Sequence, residues 1–275
     1  MNEIISNASL YESMSPTEAN AYLDAVRRSR VILSFAGLSA LRLMGFPELK
    51  HCHEARYPVQ VCIAGSANRS TMRGVQFINW PVPYQVSSVE VDDRMVCIVD
   101  PISAALQALR SLDHIEAVVM FDALMSRNSS HRQVLYEELE KTIYGNVRFK
   151  GKTLGKWAIR RCEEGTDSPM ESRLRIKLLK SRFPQPVVNF KVHHPHTREN
   201  WLVDLAYPQL KIAIEYQGAE FHTSKESLCK DSRKISALQG LGWSVIPVTS
   251  DDVFIQEHWD RFVDTLRAVI SSKTN

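Results

Sequence analysis

The sequence predicts an α/β fold, in which a C-terminal core with the element order αβββαβ and a mixed sheet is preceded by a smaller α+β domain. Three observations lead to this prediction. Apolar runs bounded by Pro, Gly, Asn and Asp are typical of strands, and they occur in succession at residues 187–192, 201–206 and 210–216. Capping residues and helical periodicity flank these runs on both sides. A fourth apolar run, at residues 243–249, completes the order.

Residues 1–145 are expected to form the separate α+β domain. Ser15 and Glu18 have the spacing of a capping box, which predicts a helix running to about Arg30. Helical character resumes over residues 35–43. Further strands are expected at residues 59–63, 75–78 and 95–99, and further helices at residues 102–112, 115–125 and 132–143. No catalytic constellation stands out in this half.

Residues 146–167 are expected to be a basic connector. The chain has a net charge of only +3, but residues 141–182 contain twelve Lys and Arg against four Asp and Glu. A phosphate backbone is attracted to such a segment, and Tyr144, Phe149 and Trp157 lie among the charges as stacking groups. The residues leave open a plainer interpretation, in which this segment is a solvated linker and helix face.

Residues 168–275 are expected to form the second domain, which begins with a helix. Ser168 is a suitable N-cap and Pro169 suits the first turn, so the helix is predicted to run through Lys180. Glu171 lies in that first turn. The helix dipole favours a glutamate there without any functional role, so the residues alone leave its role open.

The segment 204–218 places Asp204, Glu215 and Gln217 in an otherwise apolar hairpin. Taking a carboxylate out of water costs several kcal/mol unless a charge or hydrogen bonds compensate it. Two carboxylates within strands rich in Val, Leu and Ile therefore predict a cation site.

The register of the hairpin follows from Pro208-Gln209, since proline presets the backbone of a turn. With an even loop centred there, Ala213 faces Asp204, and Glu215 is a diagonal neighbour about 7 Å away on the same face. An odd loop would turn Asp204 away from Glu215. The opposite face, expected to bury against a helix, carries Val203, Leu205, Ile212, Ile214 and Tyr216.

A second helix and a last strand follow the hairpin. Thr223 and Glu226 again have capping-box spacing, and the helix is predicted to end near Leu241. The strand at residues 243–249 comes next.

Residues 168–254 resemble the very-short-patch-repair-like (Vsr-like) branch of the PD-(D/E)XK nucleases, in particular a bacterial endonuclease-like domain of unknown function. Four motifs carry the resemblance: Ser168-Pro-x-Glu-Ser-x-Leu-Arg, Val203-Asp-Leu-Ala, Glu215-Tyr-x-Gly and Leu241-Gly-Trp-x-Val. It implies a restriction-endonuclease-like core in which Asp204 and Glu215 bind Mg²⁺ or, in its place, Mn²⁺. The backbone carbonyl of Tyr216 is a further ligand, and Glu171 points into the same cleft.

The chain departs from that family at several positions. Gln217 stands where the superfamily has a lysine, His222 is all that remains of a common histidine pair, and Pro247 stands where many relatives have arginine. Because glutamine has no charge, its expected role is to orient the attacking water or to hydrogen-bond the phosphate. His222 is a candidate for proton transfer, and Lys225 for phosphate contact.

The resemblance implies a metal-dependent endonuclease that hydrolyses phosphodiester bonds in DNA, whether duplex, nicked or mismatched, in a defence or mobile-element system. Cutting both strands would favour a homodimer. The residues expected to bind nucleic acid are Lys150, Lys152, Lys156, Arg173 and Lys225.

The alternative is a non-catalytic, antitoxin-like regulator that binds nucleic acid and retains a degenerate nuclease fold. In it Asp204 caps the hairpin and Glu215 pairs with Lys211 or Arg233.

The N-terminal half more distantly resembles the domain that follows the winged helix in AbiEi-type antitoxins. The residues behind this resemblance are Leu38-Ser-Ala-Leu-Arg-Leu-Met-Gly45, Arg73-Gly-Val75 and Asp100-Pro-Ile-Ser-Ala-Ala105. It implies a role in recognition or partner docking.

Composition predicts a cytoplasmic protein. The five cysteines are odd in number and form no Cys-x-x-Cys pair, which favours a reducing compartment. No apolar run approaches the roughly 18 residues of a membrane span, and the first residues do not have the pattern of a signal peptide.

Overall fold

The computed structural model describes residues 3–4, 15–46, 49, 59–63, 72–126, 132–195, 198–218 and 225–274. The chain divides into two compact units, the first made of residues 1–125 and 129–162, and the second of residues 126–128 and 163–275. Both are mixed α/β structures with mixed sheets. None of the described helices is both long and apolar enough to span a membrane.

The described part of the first unit contains β1 (Glu3–Ile4), α1 (Pro16–Arg28), β2 (Ser34–Phe35), α2 (Gly37–Leu43), β3 (Val59–Ile63), β4 (Val75–Asn79), β5 (Val86–Val91), β6 (Arg94–Val99), α3 (Pro101–Ala108), α4 (His114–Leu124), α5 (Arg132–Tyr144) and α6 (Lys152–Ile159). Its six strands form one sheet in the order β1-β5-β6-β2-β3-β4. The expected helices and strands are present, but their bounds differ in places: α3 ends at Ala108, short of the expected residue 112, and β1, β2 and α6 were not expected.

The helix expected over residues 35–43 begins only at Gly37, because Phe35 belongs to β2 and pairs with Val61 and Ile98. Strand β5 was not expected. Only its last residues are buried, so its apolar alternation is short. The turn that joins it to β6 uses Asp92 and Asp93, both at positive φ, instead of the Asn-Gly or Asp-Gly pair that signals such a hairpin.

The boundary between the units falls after Cys162, which differs from the basic connector expected over residues 146–167. Helix α6, inside that segment, packs against α4 and α5 of the first unit. Gly151, the N-cap residue before α6, is in the left-handed region at φ +94°, where its backbone lies directly against Leu109. The first unit is therefore the longer of the two, whereas the N-terminal domain was expected to be the smaller one.

Gly151→Ala is expected to destabilise the first unit by about 2 to 4 kcal/mol, because a methyl group would be strained at this φ and would also overlap its neighbour. The added Cβ would lie 2.7 Å from the Cβ of Leu109. Gly45→Ala is the matched control, since Gly45 has φ +80° and no atom within 4 Å of an added Cβ. Urea unfolding of both variants isolates the overlap, and equal losses would contradict this packing.

The described part of the second unit contains α7 (Pro169–Lys180), β7 (Val187–His193), β8 (Asn200–Tyr207), β9 (Ile212–Tyr216), α8 (Lys225–Gly240), β10 (Ser244–Val248), α9 (Ser250–Phe254) and α10 (Gln256–Thr274). The sheet has the order β10-β9-β8-β7, with β9 and β10 parallel and the other neighbours antiparallel. The expected αβββαβ order is therefore present, and α9 and α10 follow it.

Both faces of this sheet are covered, whereas burial against a helix was expected on one face only. Leu205 and Ile214 pack in one cluster with Leu174 of α7 and Trp259 of α10. Ala213 lies in a second cluster with Leu238 of α8. Val203, expected on the face of Leu205, belongs to this second cluster.

Candidate functional site

The β8–β9 hairpin brings the two predicted strand carboxylates to neighbouring positions. A 3₁₀ turn at Pro208–Leu210 is followed by Lys211 in the left-handed region, so four residues connect the strands instead of two. Ala213 consequently pairs with Ala206 and not with Asp204, which corrects the expected register by two residues. The even loop length was predicted correctly, and the same register extended by one pair places Glu215 directly opposite Asp204.

Asp204 lies at the point where backbone pairing between β8 and β9 stops. Its Oδ2 accepts a hydrogen bond from the backbone N–H of Tyr216 at 2.8 Å, while Oδ1 has no hydrogen bond to a described residue. The side chain thus has the local capping role that was one alternative for it. Burial raises the pKa of Asp204, although the charge of Lys234 and the Tyr216 hydrogen bond oppose that shift.

Glu215 is buried, with 8% of its surface exposed. Its Oε2 accepts a hydrogen bond from Lys234 Nζ at 2.5 Å. Its Oε1 is also buried and has no hydrogen-bond partner among the residues that the structure describes. Burial raises the pKa of Glu215, the charge of Asp204 raises it further, and Lys234 opposes both effects. A buried oxygen left in this way is costly unless a ligand completes it.

Glu171 is held at the start of α7. Its backbone N–H donates to Ser168 Oγ at 3.3 Å, as expected for a capped helix, and its Oε2 accepts from the backbone N–H of Asp167 at 3.0 Å. Burial raises the pKa of Glu171 to about 7, and the next cause is the negative charge of Asp204. The charge of Asp204 on β8 therefore acts on both Glu171 of α7 and Glu215 of β9.

Lys234 is the member of this cluster that sequence reasoning missed. Glu215 was expected to pair with Lys211 or Arg233 if its role were structural; instead Lys211 donates to the backbone oxygen of Leu241, and Arg233 is exposed. The sequence offered only the helical spacing of Lys234 from the apolar Leu238, which does not by itself show that this side of α8 lies on the sheet. Lys234 lies one helical turn before Leu238, which is fully buried, so both residues lie on the sheet-facing side of α8.

The remaining candidates for catalysis and phosphate contact are only partly placed. Gln217 extends β9, since its backbone N–H donates to Val248 at 2.7 Å, and its half-buried side chain has no hydrogen bond to a described residue. His222 lies outside the described residues. Lys225 begins α8, but its side chain is outside the described part of the structure.

The residues expected to bind nucleic acid do not all reach solvent. Arg173 is 3% exposed and lies over the ring of Phe254, so its side chain does not face solvent as a phosphate contact would. Arg173 is buried because it lies on a side of α7 that packs against the rest of the second unit. Lys150 is exposed in the first unit. Lys152 donates to the backbone oxygens of Gly145 and Val147, so it holds its own loop.

Lys156 lies in a small cation–aromatic group on the first unit. Its Nζ is 5.5 Å from the centre of the Tyr144 ring, and Arg160 also lies over that ring at 5.8 Å while its Nε donates to the Tyr144 hydroxyl. Tyr144 is 42% exposed. The other two predicted stacking groups are engaged elsewhere: Phe149 with Trp80, and Trp157 with His114 and Arg161.

The oxygen donors of Asp204 and Glu215 are of the kind that a hard divalent cation binds, although they are few. Asp204 Oδ1 and Glu215 Oε1 are carboxylate oxygens without hydrogen bonds to described residues. Mg²⁺ takes oxygen ligands, binds through one or two carboxylates and keeps several waters. Among the described residues, no group of three or more His, Cys, Asp and Glu side chains is arranged to hold a metal ion. Asp204 and Glu215 are therefore the described residues that could hold such a cation, and the Tyr216 carbonyl joins them only as the resemblance implies.

Comparison with known proteins gives relatives but no function. No protein-family model matches the chain, and no solved structure matches it significantly. Uncharacterized proteins of Mycobacterium tuberculosis strains CDC 1551 and H37Rv are each 27% identical to it over 153 residues. The aligned part is 56% of this chain and 55% of each relative, so the chain spans about half the length of the curated relatives it matches.

Proposed function

We propose that the second unit is a metal-dependent endonuclease domain that hydrolyses phosphodiester bonds in DNA. The observation that carries the proposal is the buried Oε1 of Glu215, which has no hydrogen-bond partner in the described part of the chain. The strand register places Glu215 beside Asp204. Burying a carboxylate oxygen without a partner is unfavourable, and a divalent cation is the ligand that would offset this cost best.

A restriction-endonuclease-like core is supported by where the acidic residues lie in the αβββαβ order. Asp204 is on the second strand, Glu215 on the third and Glu171 on the preceding helix, as the resemblance implies. The charge of Asp204 raises the pKa of both Glu171 and Glu215, which supports one shared cleft. Such clustering of perturbed carboxylates favours a functional site over a structural one.

In this proposal Asp204 and Glu215 hold Mg²⁺ or Mn²⁺ together with the carbonyl of Tyr216. When bound, such a cation lowers the pKa of a water molecule and stabilises the negative charge that grows on the phosphate. Asp204 is oriented by the Tyr216 N–H, so its second oxygen is preset for this role. Glu171 adds negative charge to the cleft and so favours cation binding.

Gln217 follows Glu215 on the same face and supplies no charge, which is the main departure from the family pattern. Its amide can donate to a phosphate oxygen or position a water. The positive charge that the structure brings to the carboxylates comes instead from Lys234, on helix α8. The chain therefore carries a lysine beside the glutamate, although the strand lacks one.

The first unit is proposed to contribute DNA contacts through α6 and the residues before it. Residues 141–162 contain seven Lys and Arg and no Asp or Glu. Lys156 and Arg160 flank the exposed Tyr144 ring and have no ion pair with a described carboxylate. Such a surface attracts a phosphate backbone and offers one stacking group.

Combining Lys156→Gln with Arg160→Gln is expected to weaken duplex binding about tenfold near 0.1 M salt and to lower the salt slope by about 2, because two phosphate contacts are lost. Fluorescence anisotropy over a salt series measures both quantities. Arg30→Gln removes an exposed charge elsewhere on the first unit and is the control. Equal slopes for the double variant and the wild type would remove this surface from the binding site.

The activity itself is tested by a cleavage assay supplemented with Mn²⁺ on single-stranded, duplex, nicked and mismatched DNA and on RNA. Cleavage that requires Mn²⁺ or Mg²⁺ and disappears in Glu215→Ala is the expected result. Cleavage that survives this change would come from another site or from a contaminating nuclease. Product lengths and gel filtration would show whether a homodimer cuts both strands.

The second candidate is a cytoplasmic, antitoxin-like regulator that binds nucleic acid without cutting it. Two contacts favour it, because the Tyr216 N–H satisfies Asp204 and Lys234 neutralises Glu215 without any metal. A protein that binds DNA but neither binds Mn²⁺ nor nicks a plasmid would select this candidate over the nuclease.

A further inference from the structure

We propose that Lys234 is a resident counter-cation, whose ammonium occupies Glu215 when no divalent cation is bound and competes with that cation for the carboxylate. The inference rests on the proposed function, since it concerns the same site. It goes further by naming the group of this chain that sets the affinity for the cation.

The contact between the two side chains is direct and shielded from water. Lys234 Nζ lies 2.5 Å from Glu215 Oε2, and the two side chains are only 18% and 11% exposed. The charge of Lys234 also lowers the pKa of Asp204, so the ammonium acts on both carboxylates that the cation would use. The Lys234 ammonium and a divalent cation would therefore both be attracted to the carboxylates of Asp204 and Glu215.

Helix α8 directs Lys234 to this place. Leu238, one turn later, is fully buried in the cluster with Ala213, which fixes this face of the helix on the sheet. Asp231, one turn earlier, raises the pKa of both Asp204 and Glu215 by its charge. The lysine is therefore aimed at the carboxylates by the packing of its helix.

Competition follows from simple electrostatics. Like charges a few Å apart repel strongly where water is largely excluded, so a divalent cation on Glu215 weakens the Lys234 contact. Glu215 can then exchange its ammonium partner for the cation. The ammonium is left free at the cleft, where Gln217 supplies no positive charge for a substrate phosphate.

The test measures the Mn²⁺ affinity of the whole 275-residue chain without nucleic acid, by electron paramagnetic resonance of free Mn²⁺ at pH 8.5. Lys234→Gln is expected to bind Mn²⁺ about tenfold more tightly than the wild type, because the competing charge is gone. Lys234→Arg is expected to bind it several-fold more weakly, since a guanidinium holds a carboxylate with two parallel bonds. Arg233→Gln, an exposed charge on the same helix, is the matched control and should leave the affinity unchanged.

A second readout separates competition from a merely structural role. At saturating Mn²⁺, Lys234→Gln is expected to lose cleavage rate although it binds Mn²⁺ more tightly, a split that general damage to the fold does not produce. Lys234→Arg should keep part of the rate.

The possible outcomes distinguish the two proposals. If the wild type binds Mn²⁺ and Lys234→Gln binds it equally or more weakly, the counter-cation role is wrong while the cation site stands. If neither the wild type nor any of these variants binds Mn²⁺, the proposed nuclease function fails together with this inference. Should Lys234→Gln not fold, weaker binding by Lys234→Arg still supports competition, and unchanged or tighter binding overturns it.

Discussion

Asp204→Asn is expected to lower Mn²⁺-dependent DNA cleavage by roughly 10²- to 10³-fold while the second unit stays folded. Asparagine has almost the same shape, and its carbonyl oxygen can still accept the hydrogen bond that the Tyr216 N–H donates to Asp204. What is lost is the negative charge that would bind the cation. Plasmid nicking under single-turnover conditions, with thermal unfolding recorded beside it, measures the effect.

A matched control separates this loss from a general effect of removing an acid. Asp264→Asn removes a carboxylate from α10, where it is 79% exposed and pairs with Arg267 at 3.5 Å. Its cleavage rate should equal that of the wild type. Full activity in Asp204→Asn, with Mn²⁺ bound as tightly as before, would show that Asp204 is a hairpin cap and no more.

The carboxylate hairpin could be predicted from the sequence because its signals are local. Alternation put Asp204 and Glu215 on one face, and an even loop was enough to keep them there. The register was wrong by two residues, since the turn ends with Lys211 in the left-handed region at φ +49°. Lysine is not a residue that signals this conformation, unlike glycine or asparagine.

The partner of Glu215 could not be predicted in the same way. Three basic residues were available, and the choice among Lys211, Arg233 and Lys234 depends on how α8 is rotated against the sheet. That rotation is set by the burial of Leu238, which is a tertiary effect. The buried position of Arg173 has a similar origin, since a basic pattern on α7 does not reveal which side α9 and α10 will cover.

Helix α10 shows the opposite case. The helical spacing of its apolar residues was visible in the sequence, but the predicted element order ended before this helix. Its buried residues have helical spacing and form one apolar stripe, composed of Trp259, Phe262, Val263 and Leu266. This stripe covers the sheet face that carries Leu205 and Ile214. Asp204 and Glu215 are on the other face of these strands, which the cluster of Ala213 and Leu238 covers in part.

Glu171→Gln is expected to stabilise the metal-free protein by about 2 to 3 kcal/mol at pH 8 and to change little at pH 5. Burial and the charge of Asp204 raise the pKa of Glu171 to about 7 in the folded state, from 4.5 for an ordinary glutamate. Between these two pKa values, Glu171 therefore keeps its proton in the folded state but has lost it in the unfolded state. The stabilising effect of this proton is complete below pH 4.5 and disappears as the pH rises through 7. Glutamine resembles the protonated form at every pH, so the variant avoids this loss.

Urea unfolding at pH 5 and pH 8, with and without Mn²⁺, tests this prediction. Glu257→Gln is the control, because Glu257 is also a first-turn glutamate of a helix in the second unit but is exposed. Its stability should follow the pH profile of the wild type. Mn²⁺ at pH 8 should stabilise the wild type, since the cation replaces the protons that the carboxylates have lost, and should stabilise Glu171→Gln less. A Glu171→Gln protein that is less stable than the wild type at pH 8 without Mn²⁺ would mean that the carboxylate of Glu171 is needed by the fold and not by a cation.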